Sequence, residues 1–238
     1  MNFDRRAFLY KGFLSEKECG HLISLAKGKL ERSMVADRQS GNAILNDART
    51  SLGYFFRKRQ DAVIRRIELR IATWTFLPEG NSAAYGRYFS LHVSKSSFSL
   101  AENGEGIHVL HYERGQKYET HPDYFVDKFN QENGGNRMAT VLMYLSNVRK
   151  GGETVFPYAE AANTQPKDET YSECARNGFA VKPKKGDALL FFSYHINATA
   201  NPRSVHRSCP VIEGEKWAAT RWIRLRSLEN ERSNKIQQ

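Results

Sequence analysis

The sequence predicts an α+β fold: a many-stranded antiparallel double sheet, the jelly roll, with supporting helices placed ahead of it. Three observations carry this reading. Helical periodicity is confined to the N-terminal part, strand signals run from Ile107 onward, and Gly or Pro separates the strands. In order, Ser15 and Glu18 form an S-x-x-E capping box ahead of an amphipathic run that reaches Leu30. A second helix is expected over 60–73, with Val63, Ile64, Ile67 and Ile71 on one face. Strands are expected over 107–113, 139–146, 188–193, 204–207 and 217–226, punctuated by Gly115, Gly151, Gly152, Pro157 and Gly186.

Composition fits one packed domain. The chain has 238 residues, 40% of them hydrophobic and 12% aromatic, enough to close a single large domain. That domain is expected over 13–228, between an N-terminal segment 1–12 and a polar tail 229–238. The net charge of +10 is scattered, with no Lys/Arg run longer than three (Arg57-Lys58-Arg59), which argues against nucleic acid as the partner. No stretch approaches the roughly 20 apolar residues of a membrane span, and no signal-peptide pattern opens the chain. Cys19, Cys174 and Cys209 permit at most one internal disulfide. Cys174 and Cys209 are candidates for it, but sequence alone leaves the pairing open. Asn197-Ala198-Thr199 is the only glycosylation sequon, usable only in the secretory path.

The chemistry is concentrated in His121-Pro122-Asp123, joined by His206 far downstream. Two imidazoles and one carboxylate hold non-haem Fe(II) on one triangular face and leave the other positions open. Residues i and i+2 at a strand end point the same way, so the H-x-D spacing suits that geometry. His111-Tyr112-Glu113 is a second H-x-acid pair, and by spacing alone the two are equal candidates. Lys216, in Gly214-Glu215-Lys216-Trp217, offers the compact cation that the far carboxylate of a dicarboxylate co-substrate needs in a dry pocket.

Long stretches then resemble one family: FLSEKEC (13–19), HLISLAK (21–27), ENGEG (102–106), VLHYERGQKYETHPDYF (109–125), ATVLMYLSNV (139–148), GGETVFP (151–157), VKPKKGDALLFF (181–192) and CPVIEGEKWAATRWIR (209–224). They look like the plant-type prolyl 4-hydroxylases, 2-oxoglutarate- and Fe(II)-dependent dioxygenases whose fold is the double-stranded β-helix. The resemblance selects His121, Asp123 and His206 as metal ligands. It implies that Lys216, helped by Thr154 and Tyr112, binds the distal carboxylate of 2-oxoglutarate; read alone, these are a surface lysine, a turn threonine and a core tyrosine. It places Glu105, Arg137 and Trp222 along a groove for a proline-rich peptide. His108 and Arg224 depart from the Gln and frequent His expected at those positions.

The reaction so implied is 4-hydroxylation of proline in cell-wall or secretory polypeptides, with L-ascorbate as the reductant of the iron. The expected location is the endoplasmic reticulum or Golgi lumen. The family's usual N-terminal membrane anchor is not present in this chain, which is read either as a truncated form or isoform or as a chain not delivered by its own N-terminus, and its oligomeric state is not indicated. Two other readings stand beside this one: a dioxygenase of the same chemistry with another target, and a jelly-roll binding module without catalysis.

One segment leaves the family pattern. Residues 80–101 form an insertion of 22 residues with six Ser and no acidic residue. Translation of a retained intron is the expected origin, and a substrate-specificity loop is the alternative.

Overall fold

The computed structural model describes residues 7–75 and 103–226. The insertion expected at 80–101 and the tail expected at 229–238 lie outside the described residues. In chain order the first strands are β1 Ala7–Tyr10, β2 Glu31–Arg32, β3 Val35–Ala36, β4 Ala43–Ile44, β5 Leu52–Phe55, β6 His108–Tyr112, β7 Tyr118–His121 and β8 Arg137–Tyr144. They are followed by β9 Lys150–Gly151, β10 Thr154–Phe156, β11 Phe179–Val181, β12 Ala188–Phe192, β13 His206–Ser208, β14 Val211–Glu213 and β15 Lys216–Arg224.

Two antiparallel sheets dominate. The larger runs β1-β12-β8-β15-β6-β5-β2 and the smaller runs β11-β10-β13-β7. Their apposition is the jelly roll that the strand pattern predicts.

Alternation along the large sheet sorts its side chains between two compartments. Ala139, Val141 and Met143 of β8, Ala188 and Leu190 of β12, and Trp217, Ala219 and Ile223 of β15 face the helices and share one core with Leu22, Ile64, Ile67 and Ile71. Leu142, Tyr144, Leu189, Phe191 and Ala218 face the other way and pack on Phe156 of the small sheet. Every residue of β15 is therefore buried, because neither face of that strand meets water.

Two helices support the sheet. Helix α1, Glu16–Ala26, carries the expected capping box: the Ser15 hydroxyl accepts from the Glu18 amide and the Glu18 carboxylate accepts from the Ser15 amide. It stops four residues short of the expected end. Gly28 has φ +84°, and that left-handed turn closes the helix. Helix α2 is Ala62–Thr75, two residues later than expected, because the Asp61 carboxylate accepts from the Val63 and Ile64 amides at 2.7 and 2.8 Å and sets the start. No helix among the described residues is long and apolar enough to cross a membrane.

Three expectations shift. The strand placed over 204–207 begins only at His206, because Pro202–Ser204 forms a 3-10 turn capped by the Asn201 side chain. Of the segment expected at 1–12, the described part joins the large sheet, where Ala7–Tyr10 pairs with Ala188–Phe191 at its edge. The open question of the cysteines is answered by a Cys174–Cys209 disulfide, with Cys19 left as a buried thiol.

Candidate active site

The small sheet builds a three-donor cluster from two neighbouring strands. His121 ends β7 and faces His206 at the start of β13 as its direct cross-strand partner. Pro122 lacks an amide and stops the strand, and Asp123 follows on the same side. His121 Nε2 lies 3.7 Å from Asp123 Oδ1, and His206 Nε2 lies 3.8 Å from Asp123 Oδ2. One donor atom from each residue falls within 4.8 Å of the others.

The orientation of both imidazoles is fixed from behind. His121 Nδ1 is 2.7 Å from the Glu119 carbonyl oxygen and His206 Nδ1 is 3.0 Å from that of Ser204. A carbonyl only accepts, so each Nδ1 carries the proton and each Nε2 lone pair is turned inward. Burial, with His206 nearby, pushes the His121 imidazolium pKa down to about 3, which keeps the ring neutral. Burial works to raise the Asp123 pKa, but His206, His121, Arg137 and a 2.6 Å hydrogen bond from Thr140 hold it below the usual carboxylate value. Two imidazole nitrogens and one carboxylate, largely buried and convergent, fit a divalent iron.

The rival pair is excluded by strand phase. Leu110 and Tyr112 of β6 point to the cluster side, so His111 points away. Its ring stacks on Trp217 with centroids 4.1 Å apart, and its Nε2 sits 2.7 Å from the Glu215 carboxylate. Glu113 is exposed.

Lys216, Tyr112 and Thr154 line one cavity with the three donors. Lys216 is paired in register with Tyr112 across β15 and β6. Its exposure is 1%, so the reading as a surface lysine does not hold. The ammonium donates to the Gly152 carbonyl at 2.7 Å and to Ser208 Oγ at 2.8 Å. Both acceptors are neutral, and among the described residues Lys216 makes no ion pair. Burial pushes its pKa down to about 7. The Gly151-Gly152 turn shapes this wall: both have positive φ, and a Cβ on Gly151 would come 2.2 Å from the Pro210 carbonyl oxygen. Thr154 accepts from the Tyr144 hydroxyl at 2.9 Å. A buried cation with no salt-bridge partner among the described residues, hydroxyls beside it and a metal triad opposite fit a dicarboxylate that also chelates the metal.

A second cavity of about 1050 Å³ opens beside the donors and is lined by Tyr54, Phe55, Tyr124, Arg137 and Trp222. Of the three residues expected along a groove, Arg137 and Trp222 line this cavity and Glu105 does not. The Glu105 carboxylate accepts from Arg137 Nε and Nη2 at 2.7 and 2.8 Å, and from Arg224 Nε at 2.8 Å. Burial would raise its pKa, yet the two guanidiniums hold it low. Arg137 also lies over the Trp222 ring at 3.8 Å, and the Trp222 indole N–H is buried without a hydrogen-bond partner among the described residues.

Several residues of the site escape sequence reasoning. Ser208 is two residues beyond His206 on β13, and strand alternation alone would have found it. Thr140, which donates to Asp123, lies in an apolar run that carries no polar signal. Tyr118 stacks on His121 with centroids 3.5 Å apart, and the Arg49 guanidinium covers Tyr118 at 4.7 Å. Arg49 lies before β5 with no motif to mark it.

Comparison with known proteins adds an independent line. Residues 107–224 match the 2OG-Fe(II) oxygenase superfamily. The chain is 55% identical over 229 residues to probable prolyl 4-hydroxylase 7 of Arabidopsis thaliana, covering 96% of this chain and 66% of that protein. It is 56% identical to probable prolyl 4-hydroxylase 6 of the same plant, covering 72% of that protein. The chain thus spans about two thirds of the length of these relatives. Among solved structures, it is similar in fold to a viral collagen prolyl hydroxylase from Paramecium bursaria Chlorella virus-1, solved as a 2OG complex. That similarity has a TM-score of 0.58 at 24% identity, over 92% of this chain and 96% of the viral one. A Pseudomonas putida prolyl-4-hydroxylase aligns with a TM-score of 0.57 at 14% identity, over 94% and 95% of the two chains.

Proposed function

The chain belongs to the prolyl 4-hydroxylases of the 2OG-Fe(II) oxygenase superfamily, enzymes that use Fe(II) and 2-oxoglutarate, and from that premise we propose that it hydroxylates C4 of proline in proline-rich polypeptides of the secretory path. The observation that carries the reading is the juxtaposition, in one buried cavity, of the His121, Asp123 and His206 donors with the Lys216 ammonium, which has no salt-bridge partner among the described residues. When bound, Fe(II) and 2-oxoglutarate would supply the oxidising chemistry with O2 as the oxidant, one oxygen atom going to succinate as CO2 is released and the other to the hydroxylated C–H.

The chain's own residues do the rest. His121, Asp123 and His206 hold the iron, with the Glu119 and Ser204 carbonyls and the Thr140 hydroxyl fixing their directions. Lys216 anchors the far carboxylate, with Thr154 and Tyr112 as hydroxyl partners. Aromatic and guanidinium groups of the larger cavity suit an extended chain that presents stiff rings and free carbonyls. Arg137 and Trp222 form that wall, and Glu105 positions Arg137. L-ascorbate belongs to this reading as the reductant that keeps the iron divalent. The lumen of the endoplasmic reticulum or Golgi is the proposed location, supported by the Cys174–Cys209 disulfide, a bond that persists in oxidising compartments.

The test is succinate release coupled to hydroxyproline formation in proline-rich peptides. His121→Ala, Asp123→Ala and His206→Ala should each reduce both to background and lower bound iron, while His111→Ala retains most of the turnover. Iron loss in His111→Ala with retention in His121→Ala would reverse the assignment. Succinate that forms without peptidyl hydroxyproline would point to a different target for the same chemistry.

A further inference from the structure

The only sequon of the chain, Asn197-Ala198-Thr199, sits at the tip of the hairpin that leaves β12. Residues 196–200 are all exposed. The His195 amide donates to the Thr199 carbonyl at 2.8 Å and the Ala198 amide to the His195 carbonyl at 3.0 Å, so the tip is held as a tight turn. Within it, Asn197 Oδ1 accepts from the Thr199 amide at 3.1 Å and from the Thr199 hydroxyl at 2.7 Å. The carboxamide oxygen is therefore engaged by the residue that defines the sequon, and no hydrogen bond within the turn uses the amide nitrogen Nδ2. Beside it, Ile196 is 82% exposed, the highest value among the large apolar side chains described.

We infer that Asn197 is an N-glycosylation site and that its glycan covers the Ile196 tip of this hairpin. The inference rests on the secretory reading above. The donor is a lipid pyrophosphate-linked oligosaccharide. A bond forms between Asn197 Nδ2 and the anomeric carbon, the bond from that carbon to the pyrophosphate breaks, the lipid pyrophosphate leaves with the electron pair, and Nδ2 loses one proton. Transfer requires an N-x-S/T acceptor in a luminal chain, and the disulfide is a separate mark of that compartment. The fold accommodates the sugar without rearrangement, because an exposed tip has no packing to lose.

The test delivers the full chain to the secretory lumen behind a cleavable leader. Intact mass is measured before and after an amidase that releases N-glycans and converts the attached Asn to Asp. The expected result is loss of one glycan mass and one Asn-to-Asp conversion at position 197. Asn197→Gln and Thr199→Ala should abolish both signals, while Thr199→Ser retains them. A luminal chain whose Cys174–Cys209 bond is formed but whose Asn197 is unmodified would overturn the site. The secretory reading fails separately if the protein in its own cells carries Cys174 and Cys209 as thiols, whatever the luminal chain shows.

Discussion

Buried charges lie at both ends of β15, and they are handled in opposite ways. At one end the Lys216 ammonium, 1% exposed, donates to the Gly152 carbonyl and the Ser208 hydroxyl and has no salt-bridge partner among the described residues, the buried Glu153 carboxylate acting on it only from a distance. At the other end the Glu105 carboxylate is held by Arg137 and by Arg224 of β15 itself. A buried charge with its counter-charges in place belongs to the architecture, since the protein alone satisfies it. A buried charge with no salt-bridge partner suits a site that an anionic ligand completes. The difference separates the cavity around Lys216 from the frame around Glu105, although both lie on one strand and both are unusually polar for a core.

Opposite signs of mutational effect follow. Glu105→Ala leaves two guanidiniums buried without their anion and should destabilise the fold by about 3–5 kcal/mol, measured by denaturant unfolding. Lys216→Met removes a buried cation that has no salt-bridge partner among the described residues and fills a similar volume. It should stabilise the chain free of co-substrate, and it should abolish the rise in melting temperature expected when 2-oxoglutarate binds the wild type. If Lys216→Met destabilised the free chain while 2-oxoglutarate still protected it, the lysine would be architectural like Glu105 and the contrast would collapse.

The same contrast shows what sequence can carry. The long core strands are legible in apolar runs such as 139–145 and 188–192, and α1 is legible in its capping box. The two-residue strands Glu31–Arg32, Val35–Ala36 and Ala43–Ile44 are too short for any period to register. Strand phase is the deeper loss. A strand buried on both faces has no polar side to mark its inward residues. Hence His111 and His121 are equal by spacing, and only the structure turns Tyr112 toward the cavity and His111 toward Trp217. Glu105 illustrates the other limit: its partner Arg224 is 119 residues away, and no local pattern announces that a carboxylate near a groove is already taken.

The two ends also differ in how they are tied down. Near Lys216 the tie is covalent: Cys209 follows Ser208, which accepts from the ammonium, and is bonded to Cys174. The Cys209 amide donates to the Glu153 carbonyl at 2.9 Å, beside the Gly151-Gly152 turn. The Glu153 carboxylate accepts from Ser172 Oγ at 2.8 Å, which braces the segment that carries Cys174. Replacing Cys174 and Cys209 by Ser should cost roughly 2–4 kcal/mol in stability and should raise the 2-oxoglutarate concentration needed for half-maximal turnover. Peptide affinity, set at the other end, should change little. A loss confined to peptide affinity would place the brace on the wrong end of the strand.

The smallest expected effect isolates the Lys216 charge itself. Its pKa is about 7 in the folded chain because of burial, against roughly 10.4 when unfolded. Between these values the unfolded chain holds a proton that the folded chain does not, so stability rises with pH across that window, by at most about 1.4 kcal/mol per pH unit. The gain is complete above the unfolded value and is lost as pH falls through 7. Lys216→Met removes this slope, so the stability difference between wild type and variant should narrow from pH 7 to pH 9. A bound dicarboxylate reverses the preference, because it favours the charged ammonium. Binding of 2-oxoglutarate at pH 8 should therefore take up a proton, visible by calorimetry in buffers of different ionisation enthalpy, and affinity should weaken by up to about tenfold per pH unit above 7. Proton uptake that persists in Lys216→Met, or a wild-type stability difference that stays flat over this range, would show that Lys216 stays charged in the free chain and already has its compensation within the protein.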